Sequence, residues 1–178
     1  MAVSLSDILD FSALEKIVGR FCKIWKIAAG IVSPDGATIV SVNEKKLCSE
    51  FHHLRPDIVK RCNIGLIVPR IPGKPEPRYV IRRCPNGTTN AVSSIIIDGV
   101  HFANVFIGQF MTEPPNKDVF KRQAELFGFD EQSYLAALDD VVILQEEVIQ
   151  EAVGLLVDFT EHITRIAIER NQSLETQR

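Results

Sequence analysis

The chain has 178 residues, 46% of them hydrophobic and 24% charged, with a formal net charge of −3. These values fit one folded domain with a substantial core and exclude a disordered chain. The net acidity argues against nucleic-acid binding as the main task, and no apolar run approaches the roughly 18 residues of a membrane helix.

The first residues, MAVSLSDILDFSALEK, lack a basic region followed by an apolar stretch, so they are not a secretory signal and a cytoplasmic address is expected. Thiols there are normally reduced, and Cys22, Cys48, Cys62 and Cys84 are not read as a disulfide framework. Ser12 and Glu15 have capping-box spacing, and Leu14, Ile17, Val18, Phe21 and Trp25 recur at helical spacing after them. Cys22 lies inside that apolar face and is read as packing. IAAGIVSPDGATIVSV is a hairpin about Ser33-Pro34-Asp35-Gly36.

KLCSEFHHLRPDIVKRC comes next, residues 46–62, and predicts helix that breaks or restarts near Pro56. Residues 66–77 carry four prolines and are expected to form a loop. RYVIRRC is a candidate strand. TNAVSSIIIDGVHFANVFIGQFM supplies two longer strands about Asp98-Gly99. Strict alternation along the last strand would set His101, Ala103, Val105, Ile107 and Gln109 on one face. Phe102, Asn104, Phe106, Gly108 and Phe110 would take the other. After Pro114-Pro115 a helix passes through Phe120, Ala124 and Phe127, and a short one capped by Asp130 succeeds it. From about Gln145 a long helix runs toward Asn171 with an apolar stripe wider than a two-stranded seam needs.

This order gives about five mostly antiparallel strands flanked by helices, an α+β fold of the PAS/GAF-like kind. Residues 1–144 are read as the sensory domain. Residues 145–178 are read as a signalling and dimerisation helix packed on it.

Cys48, Cys62 and Cys84 lie in polar settings, KKLCSE, VKRCNI and RRCPNG. Three uses stay open. Soft thiolates bind zinc or an iron–sulfur cluster, with His52 or His53 as a fourth ligand and His52 the one chosen, although spacings of 14 and 22 are unlike the usual close pairs. The same cysteines, with Asn104, Phe106 and Gln109, could line an organic-ligand pocket. Or they are simply packed. A cysteine enzyme is disfavoured, since no Cys-x-x-Cys, phosphate loop or hydrolase elbow is present. Residues 55–83 hold eight basic residues against two acidic ones, a solvated face or a means of steering an anion.

The ordered stretches IVSPDGATI, LCSEF, VKRC, CPNG and SSIIIDGVHFANVFIGQFMTEPP resemble the sensory domain of the propanediol-utilisation regulator PocR, over roughly residues 6–165. CPNGTTNAV departs from the CHAGL-like continuation of that family after its third cysteine. The resemblance implies a PAS-like input domain that senses a small organic molecule. It also implies an output module elsewhere: a histidine kinase, a chemotaxis receptor or a transcription factor. A homodimer through the terminal helices is expected, with no membrane and no direct nucleic-acid contact.

Overall fold

The computed structural model describes residues 10–64, 68, 72–75, 77–97 and 99–176. Helix α1 spans Phe11–Trp25. Strands β1 (Ala28–Val32) and β2 (Thr38–Val42) come after it, and the turn between them closes with Ser33 N–H donating to Ala37 O at 2.8 Å. The cysteine stretch forms a π-helical turn, Leu47–Phe51, a 3₁₀ turn, His52–Leu54, and helix α2, Pro56–Ile64. Then come β3 (Val80–Arg83), β4 (Thr89–Ile97) and β5 (Val100–Phe110), and after them helices α3 (Lys117–Phe127), α4 (Glu131–Asp139) and α5 (Glu146–Thr176). Half of the proline-rich loop expected at 66–77, residues 1–9, and Asp98 of the second hairpin turn lie outside the described residues.

The five strands form one antiparallel sheet in the order β2-β1-β5-β4-β3. With its flanking helices this is the expected α+β, PAS-like fold. Among the described residues no helix is long and apolar enough to cross a membrane.

One sheet face is covered by α1 and α5. Ala29, Ile31, Ala91, Ile95, Val105, Ile107 and Phe110 from the strands meet Leu14 and Cys22 of α1 and Ile149, Val153, Leu156 and Val157 of α5. Two buried threonines of α5, Thr160 and Thr164, satisfy their hydroxyls by donating to carbonyls one turn back, at 2.7 Å each. A second cluster, around Leu47, Phe120, Tyr134 and Leu138, ties α3 and α4 to the π-helical turn. Val32, Val68, Val92 and Phe106 form a smaller one on the opposite sheet face.

Three expectations need correction. Helix α1 is capped by Asp10, whose Oδ1 accepts from Ala13 N at 3.1 Å, and not by Ser12, which sits within the first turn. Helix α5 runs five residues past Asn171, to Thr176. The alternation along β5 fails near both ends. At its start the register shifts between Ile95 and Ile96, so Phe102 packs on the α1–α5 core while His101 meets Asn104. A second shift comes near the end of the strand. Gly108 pairs with Asn90 and Phe110 with Thr89, so Gln109 is an extra residue, and its φ of 57° is left-handed. Such a bulge reverses the faces beyond it. Phe110 thereby joins the core under α5, and Gln109 turns to the Phe106 side.

Candidate functional site

The bulge is held from across the sheet. Asn90 Oδ1 accepts from the Gln109 backbone N–H at 3.2 Å. The Asn90 side chain lies flat over Gly108, where any Cβ would sit 1.8 Å from Asn90 Oδ1. Glycine is therefore required there for the bulge to be pinned. Nearby, the Phe106 ring lies over Gly30, whose added Cβ would meet the ring at 2.7 Å. Gly30 thus lets an aromatic side chain lie flat beside the strands.

Phe106, Asn90 and Gln109 are part of the wall of a cavity that offers about 40 Å³ to water. Cys48, Cys62 and Cys84 line the same cavity, with Glu44, His53 and Thr88 beside them. The three cysteines come from the π-helical turn, from α2 and from the residue after β3. Their spacings of 14 and 22 in the chain are therefore spanned by the fold. Cys22 is fully buried in the α1 core, where burial pushes its thiol up to about 12.

The thiols differ in environment. Cys62 Sγ and Cys84 Sγ are 3.5 Å apart, and Asn86 Nδ2 donates to them at 3.1 and 3.8 Å. The turn that carries Asn86 is closed by Cys84 N–H to Thr88 O at 2.6 Å and by Gly87 N–H to Cys84 O at 2.9 Å. Within the pair the negative charge belongs on Cys84, whose pKa is lowered first by the Cys62 S–H, then by the Asn86 backbone N–H and the Thr88 hydroxyl. Cys62 is correspondingly raised, by its hydrogen bond to Cys84 and then by burial. Cys48 is raised mainly by burial.

A charged pair completes the wall. His53 Nδ1 lies 3.3 Å from Glu44 Oε2, and Glu44 Oε1 accepts from Ser41 Oγ at 2.8 Å. The contact raises His53 and lowers Glu44, so both favour their charged forms. Gln109 Oε1 is taken up by the Lys45 backbone N–H, which fixes the carboxamide against the start of the π-helical turn.

His52, expected beside the cysteines, points elsewhere. Its Nε2 lies 2.7 Å from the Tyr134 hydroxyl, which donates to Gln123 Oε1 at 3.0 Å. His53 takes the cavity position instead. Among the described residues no group of three His, Cys, Asp or Glu side chains is arranged to hold a metal ion. The expected set of Cys48, Cys62, Cys84 and His52 is thus not assembled around one point. Asn104 is fully buried but does not line the cavity. Its Oδ1 accepts from Ser94 Oγ at 3.1 Å and lies 2.9 Å from His101 Nε2.

Among the described residues, three of the eight basic residues of 55–83 are engaged by carboxylates, two of these carboxylates lying outside the run. Arg55 pairs with Asp57 and donates to Phe127 O, Arg78 pairs with Asp158, and Arg83 lies 3.7 Å from Glu113. None of these arginines is part of the cavity wall.

Residues 7–168 match the family model described as the sensory domain found in PocR. The chain belongs to that family. A PocR sensory domain is a signal-transduction module, and in this one the ordered cysteines and the β4–β5 hairpin that carried the resemblance are the parts that build the cavity. No curated protein and no solved structure matches the chain.

Sequence reasoning missed Asn86, Thr88 and Asn90, the polar residues of CPNGTTN. Polar residues are the ordinary content of a turn, so nothing local marked these as facing a cavity. Glu44 was missed, and His53 was passed over for His52, because their pairing crosses the irregular turn.

Proposed function

We propose that this PocR sensory domain recognises a small polar organic molecule in the cavity lined by Cys48, Cys62, Cys84, Phe106 and Gln109. One observation carries the reading: convergent polar groups meet an aromatic wall in a partly open cleft at one end of the sheet. Thr88, Asn90, Gln109 and the Glu44–His53 pair supply both donors and acceptors. Such a mixture of apolar wall and few placed polar groups is what ligand pockets use. About 40 Å³ of water-accessible space corresponds to roughly three water positions, which selects a molecule of only a few heavy atoms.

Native mass spectrometry of the protein as purified tests this directly. An organic adduct of low mass supports the reading, and a metal or cluster mass would replace it with the thiolate-ligation alternative. A thermal-shift screen of short alcohols, diols, aldehydes and carboxylates should find a ligand that stabilises the domain by about 2.7 kcal/mol at one hundred times its Kd. Loss of that shift in Thr88→Val and Gln109→Leu would place it in this cavity. A screen without any stabilising compound, together with a bare native mass, overturns the proposal.

A second reading concerns output. Residues 145–178 serve as the signalling helix, and two copies of the domain pair through α1 and α5. The observation favouring it is an apolar groove of about 120 Å³ between these helices, lined by Ile17, Val18, Phe21, Leu155, Leu156 and Phe159. Ile17 is 51% exposed and Leu155 58%, large apolar side chains that a symmetric partner would cover. Leu155→Glu leaves the core untouched and should halve the mass measured by light scattering. A parent protein that is monomeric at high concentration removes the dimer.

A further inference from the structure

The cavity wall contains a chemical feature that ligand recognition does not require: two sulfurs in contact. We propose that Cys62 and Cys84 form a reversible disulfide when exposed to a hydroperoxide, so that this end of the cavity is a site of oxidative modification. The inference goes beyond ligand recognition and holds with the cavity filled or empty.

Geometry is the first argument. The sulfurs are 3.5 Å apart, and a disulfide needs about 2.05 Å, so closure requires a shift of about 1.5 Å. That shift falls on a small element. Cys84 is pinned by the two backbone hydrogen bonds of its turn, whereas Cys62 sits on the nine-residue helix α2, which packs chiefly on the 3₁₀ turn before it. Moving α2 toward the sheet edge disturbs neither the α1–α5 core nor any strand pairing.

Selectivity is the second. Asn86 is buried and aims its Nδ2 at both sulfurs. An amide N–H directed at sulfur favours the thiolate, which is the nucleophile in thiol oxidation. Cys62 is half-buried and reachable from the cavity, as a resolving thiol must be. Cys84 is as buried as Cys48, so exposure does not separate them. Among the described residues it is Cys62 and Cys84 whose sulfurs touch and share the Asn86 amide, whereas burial raises the Cys22 and Cys48 thiols. Reactivity is therefore confined to one pair among four cysteines.

The chemistry balances with the hydroperoxide as oxidant. The Cys84 thiolate attacks the terminal peroxide oxygen, the O–O bond breaks, and the alcohol (or water) leaves after taking up a proton. Cys84 is then a sulfenic acid. The Cys62 sulfur attacks the Cys84 sulfur, the S–O bond breaks, and water leaves with the Cys62 proton. Two thiols lose two electrons and the hydroperoxide gains them. A small dithiol reverses the reaction by exchange. The product ties α2 covalently to the β3–β4 turn, across the cavity wall.

The test treats the whole purified chain with hydrogen peroxide. The intact mass should fall by about 2 Da, the two hydrogens removed, and return with dithiothreitol. Peptide mapping should find residue 62 linked to residue 84. In Cys62→Ser the sulfenic acid on Cys84 has no resolving partner, and a 1,3-dione should label it about tenfold faster than Cys48 in the same protein. Four free thiols after peroxide treatment, a link through Cys22 or Cys48, or a link only between chains would each overturn the proposal. The mapping needs no variant, so it decides the matter even if Cys62→Ser folds poorly. It also reads out independently of any ligand, so its failure leaves the recognition proposal standing.

Discussion

The two faces of the sheet are made by the same strands and answer to different demands. Toward α1 and α5 the strands present mostly aliphatic side chains with Phe110 and Phe102, and the one buried hydroxyl named there, Ser93, donates to Arg78 O. Toward the cysteines they present Asn90, Gln109 and Phe106, and both carboxamides there are tied to backbone N–H groups. The first face is stabilised by area removed from water and is sensitive to any change in volume. The second holds polar atoms that are individually weak in stabilising effect but fixed in place by their partners. The bulge at Gln109 turns that residue from the first face to the second, so the hairpin that builds the core also builds the site.

The contrast can be broken most severely on the apolar side. Phe110→Ala should cost about 3–5 kcal/mol, read as a lower urea midpoint with unchanged slope. An equal loss from Gln109→Ala would erase the distinction between the faces.

His52 is a polar group set among aromatic rings, and pH probes it. Burial lowers its pKa to about 4. In the unfolded chain it takes up a proton near pH 6.5. Between those values the unfolded state binds more protons, so stability should be complete above pH 6.5, fall as the pH is lowered, and level off below about 4. The loss is about 3 kcal/mol over that range. Urea titrations at several pH values read it, and in His52→Asn this component of the slope should vanish.

The join between the faces gives a smaller effect with a telling sign. Gly108→Ala places a methyl group against the Asn90 carboxamide and should cost about 1–3 kcal/mol. With Asn90→Ala already present the carboxamide is gone and only the Cβ of residue 90 remains, 3.2 Å from the added methyl, so the double variant should be more stable than the sum of the two losses predicts. Strict additivity would mean that Asn90 does not hold the bulge. Smallest of all, Thr88→Val keeps the shape of the cavity wall and should change stability by about 1 kcal/mol or less, while abolishing ligand-induced stabilisation.

Where local signals agree with the final packing, the sequence was readable. Both hairpins, the strand set, the Asp130 cap and the long helix come from turn chemistry and periodicity, and the convergence of the three cysteines came from their polar settings and family order. The parts that were not legible depend on a residue inserted into a regular element. The π-helical turn at Leu47–Phe51 adds one residue, and each added residue rotates the side chains downstream of it by about 100°. Local spacing then assigns His52 to the place that His53 occupies. The face of Gln109 likewise depends on Asn90, nineteen residues away on another strand, and nothing near Gln109 announces the bulge.

The end of β5 is tied to the base of α5. Met111, two residues past Gln109, accepts from Leu144 N–H at 2.9 Å and donates its own N–H to Val142 O at 2.8 Å. Helix α5 begins at Glu146 and is 31 residues long, about 46 Å. It is a lever whose short arm reaches back to the cavity wall. A tilt of only about 5° at its base carries the far end through about 4 Å, close to three residues of helical rise. A displacement too small to disturb the pairing of β5 is thus amplified into one the size of a side chain.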